Sequence, residues 1–377
     1  MTQTETAEPN AGQIVLVLQG GGALGAYQAG VYEGLHRAGI EPAWVIGTSI
    51  GAINGALIAC NPPERRLEML IRFWNGVSQP GLADFGGASA PLVAGLAGGW
   101  AKTAALLRGV PGFFDINLFA AFGIAAPVGA ERAAFYSTAP LKATLGELLD
   151  LDYVNARHTR LTVGAVDVES GQLKYFDSHH MTLGVEHIMA SGALPPGFPA
   201  IAIDGRPYWD GGIYSNTPVE AVLDDEPRRD SLIFAVNLWR SKGAPPESIW
   251  QALGRQKEIQ YASRMRSHTA RQEQLHRLRH VVRELASLVP ADRRNDPRTK
   301  ELASYGCTTT MHLVELVAPR LPGDDQNKDI DFSVSGIAAH RQAGLVDIER
   351  TLDAKPWRRK ADPLAGVVIH EMDVARA

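Results

Sequence analysis

The sequence is poor in cysteine: two in 377 residues, Cys60 and Cys307, each in or beside apolar sequence. Two isolated cysteines exclude a disulfide framework and a cysteine-built zinc site. Read as buried reduced thiols, they suit a reducing compartment, so a cytoplasmic location is expected. No run of about twenty uninterrupted apolar residues occurs, so no membrane-spanning helix is expected. The start, MTQTETAEPNAG, lacks the basic and apolar regions of a secretory signal, and residues 1–12 read as a disordered tail. A strong excess of one charge is also missing: a net charge of −4 gives no global attraction for nucleic acid. There is no internal repeat and no low-complexity linker. What remains is an ordinary globular balance, 45% hydrophobic and 21% charged, enough for one large α/β domain with additions or for two domains.

The chain is organised around residues 14–59, which hold two glycine turns. Ala43 to Ile46 reads as a short buried strand and Ala52 to Ala59 as an apolar helix. Between them lies Gly47-Thr48-Ser49-Ile50-Gly51, a G-x-S-x-G at a strand-to-helix turn, which is the pattern of a nucleophile elbow. Gly47 and Gly51 give the tight turn its room, and the following helix aims free N–H groups at the same point. The earlier turn, Gly20-Gly21-Gly22-Ala23-Leu24-Gly25, follows the apolar strand Ile14–Leu18. Its N–H groups are available to an anion, and in an acyl-transfer reading they form the oxyanion hole.

Gly20, Gly22 and Gly25 also spell the dinucleotide fingerprint G-x-G-x-x-G. That reading needs an acid at the end of the second strand, which ends instead in Gly47-Thr48-Ser49; Glu41 precedes the strand. Two structural turns without chemistry are the plainest alternative.

Along the chain, Ala26–Ala38 reads as a helix. Glu64–Asn75 reads as an amphipathic helix with Leu67, Leu70, Ile71 and Trp74 inward and its charges opposite. Residues 81–114 break the composition, with Gly, Ala and Leu in excess and only Asp84, Lys102 and Arg108 charged. They read either as a helical insertion over the core or as a mobile lid or acyl-pocket wall. Pro140–Leu149 reads as a helix, and Arg160–Val168 and Gln172–Phe176 as a hairpin. A helix from His187 to Gly192 leads into a loop. A second hairpin through Asp204-Gly205 delivers Asp210-Gly211-Gly212, and Ser231–Leu238 is a buried strand. Gln251–Leu288 has a helical period and carries Arg255, Arg264, Arg266, Arg271, Arg277, Arg279 and Arg283. It reads as a solvated face or as a surface for anionic lipid headgroups. Met311–Val317 is a strand candidate and Ser335–Leu352 a helix with Ile337, Leu345, Ile348 and Leu352 as its stripe.

A serine hydroxyl needs a base. Asp210, followed by Gly211 and Gly212, is rigidly delivered yet allows close backbone approach. If it reaches Ser49, a Ser–Asp dyad follows, with Asp210 taking the serine proton and returning it to the leaving alcohol. A turn-capping aspartate is the plain alternative. A triad would draw on His312, His340 or His370 downstream, none in a glycine-bounded loop. His179, His180 and His187 read as loop or packing residues.

G-G-G-A-L-G, G-T-S-I-G and a distant D-G-G, with ASGALPPGFPAIAIDGRPYWDGGIYSNTPV, resemble the patatin-like phospholipase family over residues 14–238. The resemblance implies a three-layer α/β/α fold with a mainly parallel sheet and hydrolysis of lipid acyl esters without metal or cofactor. It implies Ser49 as nucleophile, Asp210 as proton acceptor, and an oxyanion hole on Gly20, Gly21, Gly22 and the N–H of Ile50. Many members carry Arg or Lys where this chain has Leu24, which leaves neutral or hydroxyacid esters open beside phospholipids. The expected organisation is a catalytic domain over 13–240 and a mostly helical extension over 241–377 packed on it, similar to a bacterial subgroup. The expected function is a serine acyl-ester hydrolase; the alternative is a non-catalytic lipid-binding scaffold of the same fold. The lipid substrate class, the apolar 81–114 segment and the arginine-rich helix raise peripheral membrane contact as a further expectation, with oligomeric state open.

Overall fold

The computed structural model describes residues 12–80, 108–123, 125, 127–360 and 362–372; the segment 81–107, most of the lid candidate, and the tail before residue 12 lie outside the described residues. The strands are β1 (Gln13–Leu18), β2 (Trp44–Gly47), β3 (Asp115–Ile116), β4 (Tyr136–Ser137), β5 (Arg160–Asp167), β6 (Leu173–Asp177), β7 (Ile201–Ile203), β8 (Arg206–Asp210), β9 (Ser231–Asn237), β10 (Met311–Val317) and β11 (Val367–Glu371). The described helices are α1 (Ala26–Arg37), α2 (Ile50–Ala59), α3 (Pro63–Val77), α4 (Ala139–Leu148), α5 (Leu151–Asn155), α6 (Val185–Ser191), α7 (Glu220–Leu223), α8 (Ile249–Ser287), α9 (Pro297–Ser304) and α10 (Val334–Ala354).

Among the described residues nine strands form one sheet in the order β11-β10-β9-β1-β2-β5-β8-β7, with β6 also paired to β5. From β11 to β5 the neighbours are parallel, while β6 and β8 run antiparallel to β5 and β7 antiparallel to β8. Successive residues of β1 serve opposite faces, as the strand period requires. Leu16 and Leu18 join the core under α1, α2, α3 and α10, while Val15 and Val17 join a second core with Val219, Val222, Leu223 and Met265. Helices thus cover both faces, and the strands are apolar throughout because both sides are buried. The expected three-layer α/β/α arrangement is present.

Register sets the position of the site. Leu18 lies beside Gly47 of β2 and beside Val236 of β9. The two glycine turns and the loop after β9 therefore emerge together at the carboxyl edge of the sheet, where open α/β sheets bind ligands. Ala165 of β5 pairs with Asp210, which carries the D-G-G loop to the same edge.

The segment after residue 240 is mostly helical, as expected, and the strand expected at Met311–Val317 is present; β10 pairs with β9 and β11 with β10, so the segment also completes the central sheet. One expectation needs correction: the buried face of α3 is Arg66, Met69, Leu70, Phe73, Trp74 and Val77, with Leu67 and Ile71 only half-buried. Arg66 is tolerated inside because its guanidinium donates to the Asn61 carbonyl, the Thr159 hydroxyl and the Glu41 carboxylate.

α10 packs on α1 backbone to backbone. A β-carbon on Gly344 would lie 2.0 Å from the Tyr27 carbonyl oxygen, and one on Gly30 1.8 Å from that of Arg341. Tyr27 donates to Asp347 at 2.9 Å, and the guanidinium of Arg341 pairs with Glu33 at 2.7 Å. Gly344→Val is therefore expected to lower the stability of the main unfolding transition by about 2–3 kcal/mol in urea, the cost of forcing a side chain into a filled contact. An unchanged main transition would mean that the segment after 240 unfolds as a separate body.

Candidate active site

β2 ends at Gly47 and α2 begins at Ile50, which leaves Thr48 and Ser49 to reverse the chain. Ser49 adopts φ 57°, ψ −127°, a conformation that costs a residue with a side chain about 1–3 kcal/mol and persists only where its surroundings over-determine it. The surroundings do so. The Ser49 N–H donates to the Ser191 carbonyl at 3.0 Å, and the Thr48 N–H to the Leu18 carbonyl at 3.1 Å. A β-carbon on Gly51 would lie 2.2 Å from the Leu18 carbonyl oxygen, and one on Gly47 2.2 Å from that of Gly51.

The first glycine turn is held by buried polar side chains. The side-chain carbonyl of Gln19 accepts the N–H groups of Leu238 and Trp239, and its amide donates to the Thr217 hydroxyl at 2.6 Å. Gln28 donates to the Gln19 backbone carbonyl, Asn54 to the Gly25 carbonyl and to Gln28, and the Trp74 indole to Asn54. Gly20 departs from the expectation that its N–H is free: it donates to the Asn216 carbonyl at 3.2 Å. Its own carbonyl accepts the Asn216 amide at 3.1 Å and the Trp239 indole at 2.8 Å. Among the described residues the N–H groups of Gly21, Gly22 and Ile50 have no acceptor, and all three residues line one cavity with Ser49.

Asp210 closes β8 and is 1% exposed. Its N–H donates to the Ala193 carbonyl at 3.0 Å, and its Oδ1 accepts the Gly212 N–H at 2.7 Å. Ser49 lines the same cavity, and its side chain favours the ionised carboxylate of Asp210. Burial pushes the Asp210 carboxyl up to about 7, against the smaller opposing effects of the Ser49 hydroxyl and the Gly212 N–H. Ser191 is a residue that sequence reasoning passed over. Its carbonyl takes the Ser49 N–H, its hydroxyl donates to the Gly164 carbonyl at 2.6 Å, and two residues on Ala193 holds Asp210. Its only signal was its place in the A-S-G stretch before the proline pair.

The histidines are occupied elsewhere. His312 and His370 face each other at 3.0 Å on β10 and β11, and His340 pairs with Asp324 at 3.3 Å. His187 caps its own helix, and His179 and His180 lie in the turn at Asp177. Glu41, the nearest acid for a ribose, is taken by Arg66, His36 and Tyr32. Among the described residues no three His, Cys, Asp or Glu side chains gather as they would around a metal ion.

Ser49 and Asp210 open on a mostly apolar cavity of about 290 Å³, near the small end of ligand pockets. Its wall includes Phe113 and Phe114, the last residues of the 81–114 segment, packed edge-on with Phe198 and Tyr136. Another part of the wall comes from after residue 237: Trp239, Lys257, Tyr261, Asp329, Ile330 and Phe332. Leu24, where the resemblance suggested a basic residue, is buried in the core. A cation reaches the cavity instead from α8: Lys257, paired with Asp329 at 2.5 Å.

Comparison with known proteins places the chain in a family. The sequence model of the family described as "Patatin-like phospholipase" matches residues 16–223, and one described as "Patatin phospholipase" matches residues 259–364. No curated protein matches at a significant level. Among solved structures the chain is similar to VipD from Legionella pneumophila, at 15% identity and TM-score 0.37, covering 94% of this chain and 72% of that one. It is also similar to the full-length ExoU of Pseudomonas aeruginosa, solved with SpcU from the type III secretion system, at 17% identity and TM-score 0.27, covering 94% and 76%. With the first of those models spanning more than half of its length, the chain belongs to the patatin-like phospholipases, a family of lipid hydrolases.

Proposed function

We propose that the protein is a serine hydrolase of lipid acyl esters that works through Ser49 and Asp210. The observation that carries this reading is a hydroxyl on a strained elbow and a buried carboxyl pushed up to about 7, which line the same apolar cavity. An ordinary aspartate is too weak a base for a serine at neutral pH. Burial raises Asp210 into the range where base strength and ionised fraction are both useful.

The acyl chain lies against the aromatic wall and presents its carbonyl to Ser49. As the hydroxyl attacks, its proton passes to Asp210. Negative charge on the former carbonyl oxygen is met by the N–H groups of Gly21, Gly22 and Ile50, the last with the positive end of α2 behind it. Gly20 supports the turn instead of donating. Asp210 returns the proton to the leaving alcohol, then takes one from the water that releases the acid. The glycine turn and the elbow are fixed before substrate arrives, so their donors need no reorganisation during the reaction.

Ser49→Ala and Asp210→Asn are each expected to remove p-nitrophenyl ester turnover, by about 10³-fold or more, with the fold retained. Full activity in a folded Ser49→Ala protein would overturn the role of Ser49, while no labelling of the native serine by a fluorophosphonate together with no ester turnover would favour a scaffold. Wild-type kcat/KM is expected to climb with pH and level off above about 7, because only ionised Asp210 accepts the proton.

The same burial has a signature in stability. The native carboxyl keeps its proton up to about pH 7, while an unfolded aspartate releases it near pH 4. Wild-type stability therefore falls between those values and carries the whole penalty above pH 7. Asp210→Asn has no such loss. Its advantage is expected to be small near pH 4 and about 2–4 kcal/mol at pH 8, read from paired urea titrations. Ser49→Gly, inactive but free of the backbone strain, is expected to be more stable than Ser49→Ala by about 1 kcal/mol.

A further inference from the structure

We infer that the first turn of α8 and the cationic groove beside it are a docking surface for an anionic lipid membrane. The inference rests on the reading of the cavity as a lipid-ester site and names the surface that brings substrate to it.

Ile249, Trp250 and Leu253 are 83%, 64% and 53% exposed. At i, i+1 and i+4 they share one face of the helix. Three large apolar side chains on one exposed turn are unusual on a helix that is otherwise strongly charged, and a tryptophan there suits the interfacial zone of a bilayer. Beside this turn lies an open groove of about 580 Å³. Its lining carries five cationic and three acidic side chains. Arg255 and Lys328 are paired with Glu258. Arg240, Lys242 and Arg320 make no ion pair among the described residues. The surface therefore offers apolar side chains for insertion next to unpaired cations for lipid phosphates, the combination that holds a protein on an anionic membrane.

The surface adjoins the catalytic cavity. Trp239 lines both the groove and the cavity, and its indole donates to the carbonyl of Gly20 in the first glycine turn. Lys328 on the groove side and Lys257 on the cavity side each lie within 6 Å of its ring, at 5.7 and 5.4 Å. A membrane held by α8 would thus lie beside the cavity mouth. The arginine run further along α8, the surface suggested by sequence, is partly spent inside the chain: Arg266 pairs with Glu371 and Arg277 with Asp362.

The test is flotation of the full chain with vesicles of phosphatidylcholine alone or with phosphatidylglycerol added, at low and physiological salt. Wild type is expected to float with the anionic vesicles and to detach as salt rises. The triple variant Ile249→Ser, Trp250→Ser, Leu253→Ser is expected to bind roughly a hundredfold more weakly, while its turnover of a soluble short-chain ester is unchanged. Arg240→Glu with Lys242→Glu is expected to abolish the preference for anionic vesicles. Wild type that fails to float, or a triple variant that floats like wild type, overturns the proposal. So does a wild-type dimer that the triple variant converts to monomer without any vesicle binding, since the face would then cover a second copy. Binding is read without hydrolysis, so an absence of esterase activity would count against the catalytic reading and leave this one to be judged by flotation.

Discussion

The site depends on one contact between two pieces of backbone: the carbonyl of Leu18, at the end of β1, against Gly51, in the first turn of α2. A β-carbon at Gly51 would sit 2.2 Å from that oxygen. The same carbonyl accepts the Thr48 N–H. This contact fixes the distance between the two glycine turns, and with it the distance from Ser49 to the free N–H groups of Gly21 and Gly22. Neither turn could be moved by even one methyl group without separating the hydroxyl from the donors that face the same cavity. Strain at Ser49 follows from the same geometry, since the chain must reverse within two residues and still start a helix aimed at the cavity.

Holding the second partner requires a different kind of interaction. Among the described residues no cation acts on buried Asp210, so its charge is opposed by burial and supported by Ser49 and the Gly212 N–H. A salt bridge here would stabilise the carboxylate and lower its affinity for a proton. The structure keeps cations at a distance from it and uses them elsewhere, as in the pairs Lys257–Asp329 and Lys328–Glu258. The cost of the buried charge is tolerated because the loop around it is tied from both sides, by Ala193 on the N–H of Asp210 and by Asn216 on Gly20.

These particulars explain what could be read in the sequence. Glycine turns after apolar strands and a D-G-G after a hairpin are local signals, and the strands and helices they mark lie within a few residues of their expected places. The fold class was legible for the same reason. The partners of the turns were not, because they are distant polar side chains with no pattern of their own. Gln19 meets Thr217 across 198 positions and Trp239 across 220. Arg66 sat on the helix face expected to be charged and solvated, and only the carbonyl, hydroxyl and carboxylate around it make the buried position tolerable. Asn54, a lone amide in an apolar helix, was the one visible hint of the buried network. The missing cation at Leu24 was read correctly as an absence from the turn, but a cation supplied 233 positions later by α8 leaves no trace in that stretch.

The segment after residue 240 is therefore more than an appendage to the site. It extends the sheet through β10 and β11, closes the α1 face through the glycine contact with α10, and forms part of the cavity wall. The 3-10 turn Lys328–Ile330 brings the Asp329 carbonyl oxygen to within 2.2 Å of where a side chain on Gly22 would begin. The first glycine turn is thus enclosed by residues distant in sequence, Gln19 and Gly20 within and Trp239 and Asp329 without. A turn so enclosed can keep its N–H groups unpaired and pointed into the cavity because the backbone has no alternative place to go. Free donors in a protein interior are unfavourable unless something holds them open. Here the later third of the sequence does part of the holding, which makes the geometry of the first glycine turn a property of the whole fold and not of the local motif that reveals it.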